Sequence, residues 1–173
     1  MIQLLEDAQS HKEELERKMR GTWGDKKYWY YNSYSYFSPI SIDENTWDKM
    51  QFASVNPDGE VIGYLSYSID RECRFVSGLS IINFTNNPVF GIDVMQMVKD
   101  IFEKYNFQKI DFFVIIGNPI EQQYDRLIQK YGGRIVGTRK RHVMLPDGKL
   151  YDEKMYEILQ EDYLNKRYGK DTG

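Results

Sequence analysis

The residues whose types and spacing could do chemistry fall between Leu79 and Gly133. The order there is an apolar run (LSIINF), a polar loop with one glycine (TNNPVFGID) and an amphipathic segment (VMQMVKDIFEKYN). A second apolar run (KIDFFVII) ends in Gly-Asn-Pro, and a second amphipathic segment (IEQQYDRLIQKY) ends in Gly-Gly. A loop that leaves a strand and opens a helix offers unpaired backbone N–H groups at the positive end of the helix dipole. The backbone around Gly91 to Val94 is therefore a candidate site for a phosphate or pyrophosphate. Other reactive side chains are sparse. Cys73 is the only cysteine, so it has neither an internal disulfide partner nor a second thiolate for a metal. His11 sits in a charged, helix-forming stretch, and His142 follows Arg139-Lys140-Arg141, a basic run that suits an edge strand. Two distant histidines and one cysteine give no metal-ligand spacing, so no metal is expected. Neither a G-x-S-x-G elbow nor a P-loop occurs.

Apolar runs alternating with helical patterns predict a strand–helix–strand–helix unit as the scaffold for these residues. Val94–Tyr105 carries Val94, Met97, Val98, Ile101, Phe102 and Tyr105 on one helical face. Lys109–Ile116 is apolar almost throughout, as expected of a strand covered on both faces. Ile120–Tyr131 sets Tyr124, Leu127, Ile128 and Tyr131 on one stripe, and Gly132-Gly133 stops it. Upstream, Ile2–Leu5 is a short strand candidate and Glu6–Arg20 a helix with Ala8, Leu15 and Met19 as its apolar positions. Ser41–Trp47 is a loop or helix start. Met50–Val55, Glu60–Ile69 and Arg74–Phe84 predict three antiparallel strands, the first two joined by a turn at Asn56–Gly59. Downstream, Arg134–Met144 is a strand anchored by Ile135, Val136 and Val143, and Met155–Leu159 a last strand or short helix. The polar tail beyond Asp162 is expected to fray.

The composition is that of a cytoplasmic globular protein of one domain, long enough to bury about two-thirds of its unfolded surface. A net charge of −3 gives no overall attraction to nucleic acid or anionic lipid, and no apolar run is long enough to span a bilayer. The unusual feature is aromatic: 14 tyrosines, many of them crowded with tryptophan into Thr22–Pro39 (TWGDKKYWYYNSYSYFSP). Trp29, Tyr31 and Tyr34 are the candidates there for a substrate wall, and the same segment would serve as a protein contact or as packing over the sheet.

The ordered set of elements resembles the GNAT superfamily of acyl-CoA-dependent N-acyltransferases. The hairpin NPDGEVIGYLSY is similar to the paired strands of that family, and NNPVFGIDVMQMVKDIF stands where the family keeps its pyrophosphate loop. The stretch IDFFVIIGNP followed by Tyr124 matches the strand that ends in Asn before a helix carrying a Tyr. YGGRIVGTRKRHVMLPDGKLYDEKMYEI is similar to the family's closing strands, so the likeness spans roughly Met50 to Tyr163. Two positions depart from it. Pro88 stands for the usual Arg or Gln, and Asp93 for the last small residue of the loop. Asp93 would repel a pyrophosphate unless it turned away or capped the helix.

The resemblance implies a mixed α/β (α+β) fold, a mostly antiparallel central sheet flanked by helices, with 2–49 a helical and aromatic substrate side, 50–163 the core and 164–173 a tail. It implies acetyl-CoA as acyl donor and a primary amine, on a small molecule or a protein, as acceptor. Ile81, Ile82, Asn83 and Phe84 would offer backbone groups to the pantetheine arm and thioester. Phe90, Gly91, Ile92, Asp93 and Val94 would form the loop and helix start for the pyrophosphate, and Asn118 would bond the arm or make its turn. Tyr124 is the implied acid for the departing thiolate. No base stands out, Glu72 and Asp111 being available carboxylates. The other reading is a non-catalytic module of the same fold that binds a protein partner through 22–39. Nucleic acid and membrane are not expected as partners, and the chain would be a monomer or homodimer.

Overall fold

The computed structural model describes residues 5–30 and 41–169. Among these residues seven strands form one sheet: β1 (Leu5–Asp7), β2 (Lys49–Val55), β3 (Val61–Asp70), β4 (Phe75–Asn83), β5 (Lys109–Ile115), β6 (Arg134–Met144) and β7 (Leu150–Leu159). Their order in space is β1-β2-β3-β4-β5-β7-β6, and every neighbouring pair is antiparallel except β4–β5. Helices α1 (Lys12–Gly21), α2 (Val89–Lys99), α3 (Glu121–Tyr131) and α4 (Gln160–Tyr168) cover it. The mixed fold and the three-stranded antiparallel start agree with the sequence reading.

Period-two alternation gives each strand two faces. On one face Ile62, Leu65, Tyr67, Val76, Ile81, Ile110, Phe112, Val114, Tyr156 and Ile158 pack with Phe90, Met97, Ile101, Phe102, Ile128, Tyr131 and Tyr163 from the helices. The opposite face of β2–β4 packs Ala53, Val55, Val61, Tyr64 and Ile82 under Leu15 and Met19 of α1. Gly63 exists for close approach. A Cβ there would lie 2.1 Å from the Phe90 ring and 2.9 Å from the Ile82 carbonyl oxygen, so α2 can start flush on β3. Gly132, at φ +78°, ends α3 in the left-handed region, where glycine pays no Cβ penalty.

Several expectations are corrected. Helix α1 begins at Lys12, because Leu5–Asp7 is held in the sheet by β2 and Ala8–His11 forms a 3-10 turn. Helix α2 begins at Val89 rather than Val94. Pro88, at φ −64°, already has helical backbone, and Asn87 Oδ1 takes the first N–H at 3.0 Å. Tyr105 leaves the buried stripe: Asp100–Lys104 is a π-turn, closed by Tyr105 N–H on the Asp100 carbonyl at 2.9 Å, and the extra residue rotates the ring into solvent. β5 is not covered on both faces, since Phe113 is 49% exposed opposite the core row. Ile135 and Val136 are exposed, because β6 is the edge strand and only Val143 of the three turns inward. Beyond Asp162 the chain folds as α4 instead of fraying, with buried Tyr163 donating to Glu103 Oε1 at 2.7 Å.

Candidate active site

β4 and β5 are paired only at Phe75–Lys109 and Val76–Ile110, after which they diverge. Local chemistry explains the parting. Between Ser66–Ser80 and Ser68–Ser77 the register gains one residue on β4, where Gly78 takes φ +62°. Such a bulge bends its strand and sharpens its twist. Above it, β4 runs with β3 and leaves β5.

The opening produces a cavity on each face of the sheet. On the helix face a cleft of 620 Å³ lies between α2 and α3, walled by Phe90, Gly91, Val94, Met95, Leu127 and Tyr131, with Tyr28 at its edge. Three cations line it, Lys27, Arg126 and Lys130, and among the described residues no carboxylate does. On the α1 face a cavity of 360 Å³ is lined by Tyr30, Tyr64, Leu79 and Phe113 with the hydroxyls of Ser41, Ser66, Ser68 and Ser80. Ile81, Asn118, Ile120 and Tyr124 line both, so the two spaces meet where the strands part.

The backbone of β4 faces this opening in alternation. Phe84 N–H bonds the Ile62 carbonyl of the β3 side at 2.9 Å, which fixes the phase of the ladder. Ile82 and Phe84 therefore turn their N–H and C=O groups to β3, and Ile81 and Asn83 turn theirs to the gap. The Phe84 carbonyl also accepts the Tyr28 hydroxyl at 3.3 Å, so Phe84 has no backbone group to spare and lines neither cavity.

Of the loop and helix-start residues, Phe90, Gly91 and Val94 line the cleft, while Ile92 is 64% exposed and lines neither cavity. Asp93 turns away from the helix mouth. It is buried, and its Oδ2 accepts the Ser54 hydroxyl of β2 at 2.5 Å. Burial pushes this carboxyl above the usual carboxylate range, and the Ser54 hydrogen bond offsets part of that. The loop satisfies its own donors: Asn83 Oδ1 takes the N–H of Thr85 and Asn86, Asn87 Oδ1 that of Val89, and the Asn87 and Pro88 carbonyls those of Phe90 and Gly91.

Asn118 makes its turn, Oδ1 accepting Ile120 N–H at 3.1 Å, and its Nδ2 has no partner among the described residues. Tyr124 stands on the first turn of α3 with its ring edge-on to Phe112 (5.3 Å) and Tyr156 (6.1 Å). The helix is pinned one residue further on. Asp125 accepts the Tyr156 hydroxyl at 2.8 Å and the Lys154 ammonium at 3.2 Å, both from β7. Burial and then Asp125 raise the Tyr156 phenol far above its ordinary pKa, so that hydroxyl stays a donor.

Trp29 lines neither cavity; its neighbours Tyr28 and Tyr30 do, one on each side. Tyr31 and Tyr34 lie outside the described residues. Glu72 is exposed at the β3–β4 turn and Asp111 is half-buried, its carboxyl raised mainly by burial; neither is part of a cavity wall. The basic run stays on the β6 edge, with Arg139 on Glu153 at 3.2 Å and Lys140 on Asp152 at 2.8 Å. The serine row, Lys49 and the cleft cations were not singled out from the sequence, although the i, i+2 spacing of Ser66 and Ser68 was a usable sign of a shared strand face.

No known family profile matches the chain, and no curated protein matches it. Solved structures do. A chimera of spermidine N-acetyltransferase SpeG from Vibrio cholerae and hSSAT is 22% identical, over 70% of this chain and 75% of that one, with a TM-score of 0.60. The spermidine/spermine N-acetyltransferase SpeG from Vibrio cholerae, crystallised with manganese ions, is 21% identical over 70% of this chain and 71% of that one, again at 0.60. At these identities the likeness is one of fold: the chain has the GNAT architecture.

Proposed function

We propose that the protein transfers an acetyl group from acetyl-CoA to an amine. The observation that carries this reading is the parting of β4 from β5, which joins a cationic, partly apolar cleft on one face to a small hydroxyl-lined cavity on the other. The donor's residues fit that geometry. Ile81 and Asn83 offer the unpaired edge of β4, to which an amide-bearing pantetheine arm adds like a further strand. Asn118 Nδ2 donates to the same arm. Lys27, Arg126 and Lys130 meet the phosphates, taking over the charge that the self-satisfied loop at Asn83–Gly91 no longer supplies. The thioester, once bound, supplies an activated acyl carbon.

The chain's own contribution to chemistry is positional and protonic. A backbone N–H of β4 at the gap polarises the acyl oxygen, as preorganised donors do. The acceptor amine enters from the α1 face, forms the C–N bond and gives its proton to solvent. The C–S bond breaks, and the Tyr124 hydroxyl donates a proton to the departing sulfur, a sound match of phenol to thiolate. Tyr124→Phe is expected to cut kcat by about 100-fold, within the range for a lost general acid, and to leave acetyl-CoA affinity nearly unchanged. Unchanged turnover removes Tyr124 from the mechanism. A thermal-shift titration tests the donor itself: at 100 times its Kd a ligand adds about 2.7 kcal/mol.

The other reading, a non-catalytic module that binds a partner protein through 22–39, draws on the filled donors of the loop before α2. Absence of any shift at millimolar acetyl-CoA would favour it.

A further inference from the structure

We infer that the acceptor is a small amine that also carries an anionic group, a carboxylate or a phosphate, held by Lys49 and the serines of the α1 face, and that polycationic amines are disfavoured. This rests on the reading of that cavity as the acceptor side of an acyl transfer. Lys49 is the one charged residue in its wall among the described residues. It sits at the start of β2 on the same face as Gln51 and Ala53, directly across from Ser68, and is half-buried. No carboxylate of the described residues lies within ion-pair distance of its ammonium, whereas Lys18, Lys140 and Lys154 all have such partners. Asp43, whose charge is felt by Tyr64, is exposed and not part of the wall. The segment from 31 to 40, YNSYSYFSPI, contains no Asp, Glu, Lys or Arg.

An incoming molecule therefore meets one cation and several hydroxyls. A second cation beside Lys49 adds repulsion with nothing opposite to offset it, while a carboxylate or phosphate gains a charged partner and hydroxyl donors in a half-enclosed space. The hydroxyls lie in register: Ser66 pairs with Ser80 across β3–β4, and Ser68 is one step along towards Lys49. A cation near the reacting amine also favours its neutral, nucleophilic form, which matters where no carboxylate of the described residues lines the wall. The volume, 360 Å³, suits a molecule of amino-acid size.

Four amines separate these chemistries: ethanolamine, serine (the same amine with a carboxylate), O-phosphoethanolamine (the same amine with a phosphate) and spermidine. Steady-state rates with acetyl-CoA are measured for the wild type, Lys49→Gln and Lys49→Glu, with melting curves to check folding. Serine or O-phosphoethanolamine is expected to exceed ethanolamine in kcat/KM by about tenfold or more, as one charge pair in a half-buried site allows. Whichever of the two leads identifies carboxylate or phosphate. Lys49→Gln should erase the preference and Lys49→Glu should invert it towards spermidine. A wild type that prefers ethanolamine or spermidine, or a preference untouched by Lys49→Glu, overturns the inference. If no amine is acetylated, calorimetric binding of the same four decides. Anion-bearing amines that bind the wild type and not Lys49→Glu keep the site and sink the transfer reading. Equal or absent binding sinks the site, whatever stabilisation acetyl-CoA gives the wild-type protein.

Discussion

The two faces of the sheet share one opening and build opposite walls around it. On the helix face the space is larger: α2 and α3 frame a cleft of 620 Å³ with aromatic and aliphatic sides, and its cations are exposed. On the α1 face the space is smaller, 360 Å³, and among the described residues it is lined by four serines and a single half-buried lysine. The difference follows from alternation along the same strands. Ile62, Leu65 and Tyr67 of β3 point to the helices, whereas Ser66 and Ser68 point the other way. One strand can encode both a large, partly apolar wall on one side and a small polar one on the other, because residues in a regular strand alternate between its faces.

The comparison breaks first where the helix face is tightest. Gly63→Ala would drive a methyl into Phe90 and the Ile82 carbonyl, so α2 must lift from β3. A loss of about 1–3 kcal/mol, the usual cost of overpacking, is expected in denaturant unfolding, together with weaker acetyl-CoA binding. At Gly117, φ +101°, an added Cβ meets only the Tyr30 hydroxyl, at 3.3 Å, so Gly117→Ala should cost about 1–2 kcal/mol from backbone conformation alone. If Gly63→Ala cost nothing in unfolding, the tight seating of α2 on β3 would be wrong.

Asp93→Asn sharpens the comparison with the smallest effect. Burial raises the native carboxyl above its unfolded value, so the folded chain keeps its proton to higher pH than the unfolded one. That contribution to stability is complete below the unfolded carboxylate range, near pH ~4, and is lost as pH rises through the raised native value. Asparagine still accepts from Ser54 and does not ionise. The variant should gain on the wild type at neutral pH and lose that advantage in acid, as read from unfolding midpoints at the two pH values. A constant difference across pH would show that Asp93 does not titrate with folding.

The strands flanked by clear turn chemistry were legible in the sequence, as at Asn56–Gly59 and Gly132-Gly133, and so was the order that identifies the architecture. What escaped depends on neighbours distant in the chain. The start of α2 hides behind Pro88, Phe90 and Gly91, which read as loop until β3 presents Gly63 to receive the ring. Tyr105 fits a helical stripe on paper, and only the π-turn removes it. Ile135 and Val136 look like core until β7 inserts between β5 and β6 and leaves β6 at the margin. At the site, Asn118 and Tyr124 were named through the family resemblance, and both line the two cavities. The pairing of Lys49 with Ser68, and of Ser66 with Ser80, joins three strands through a register that no local pattern announces.

The bulge at Gly78 has one more outcome. From there on the strand is hemmed on a single margin, so Ile82 and, just past its end, Phe84 are laced to β3 while the amides of Ile81 and Asn83 face the gap. Solvent deuterium should find every second residue, and whatever molecule completes the seam would announce itself by silencing that rhythm.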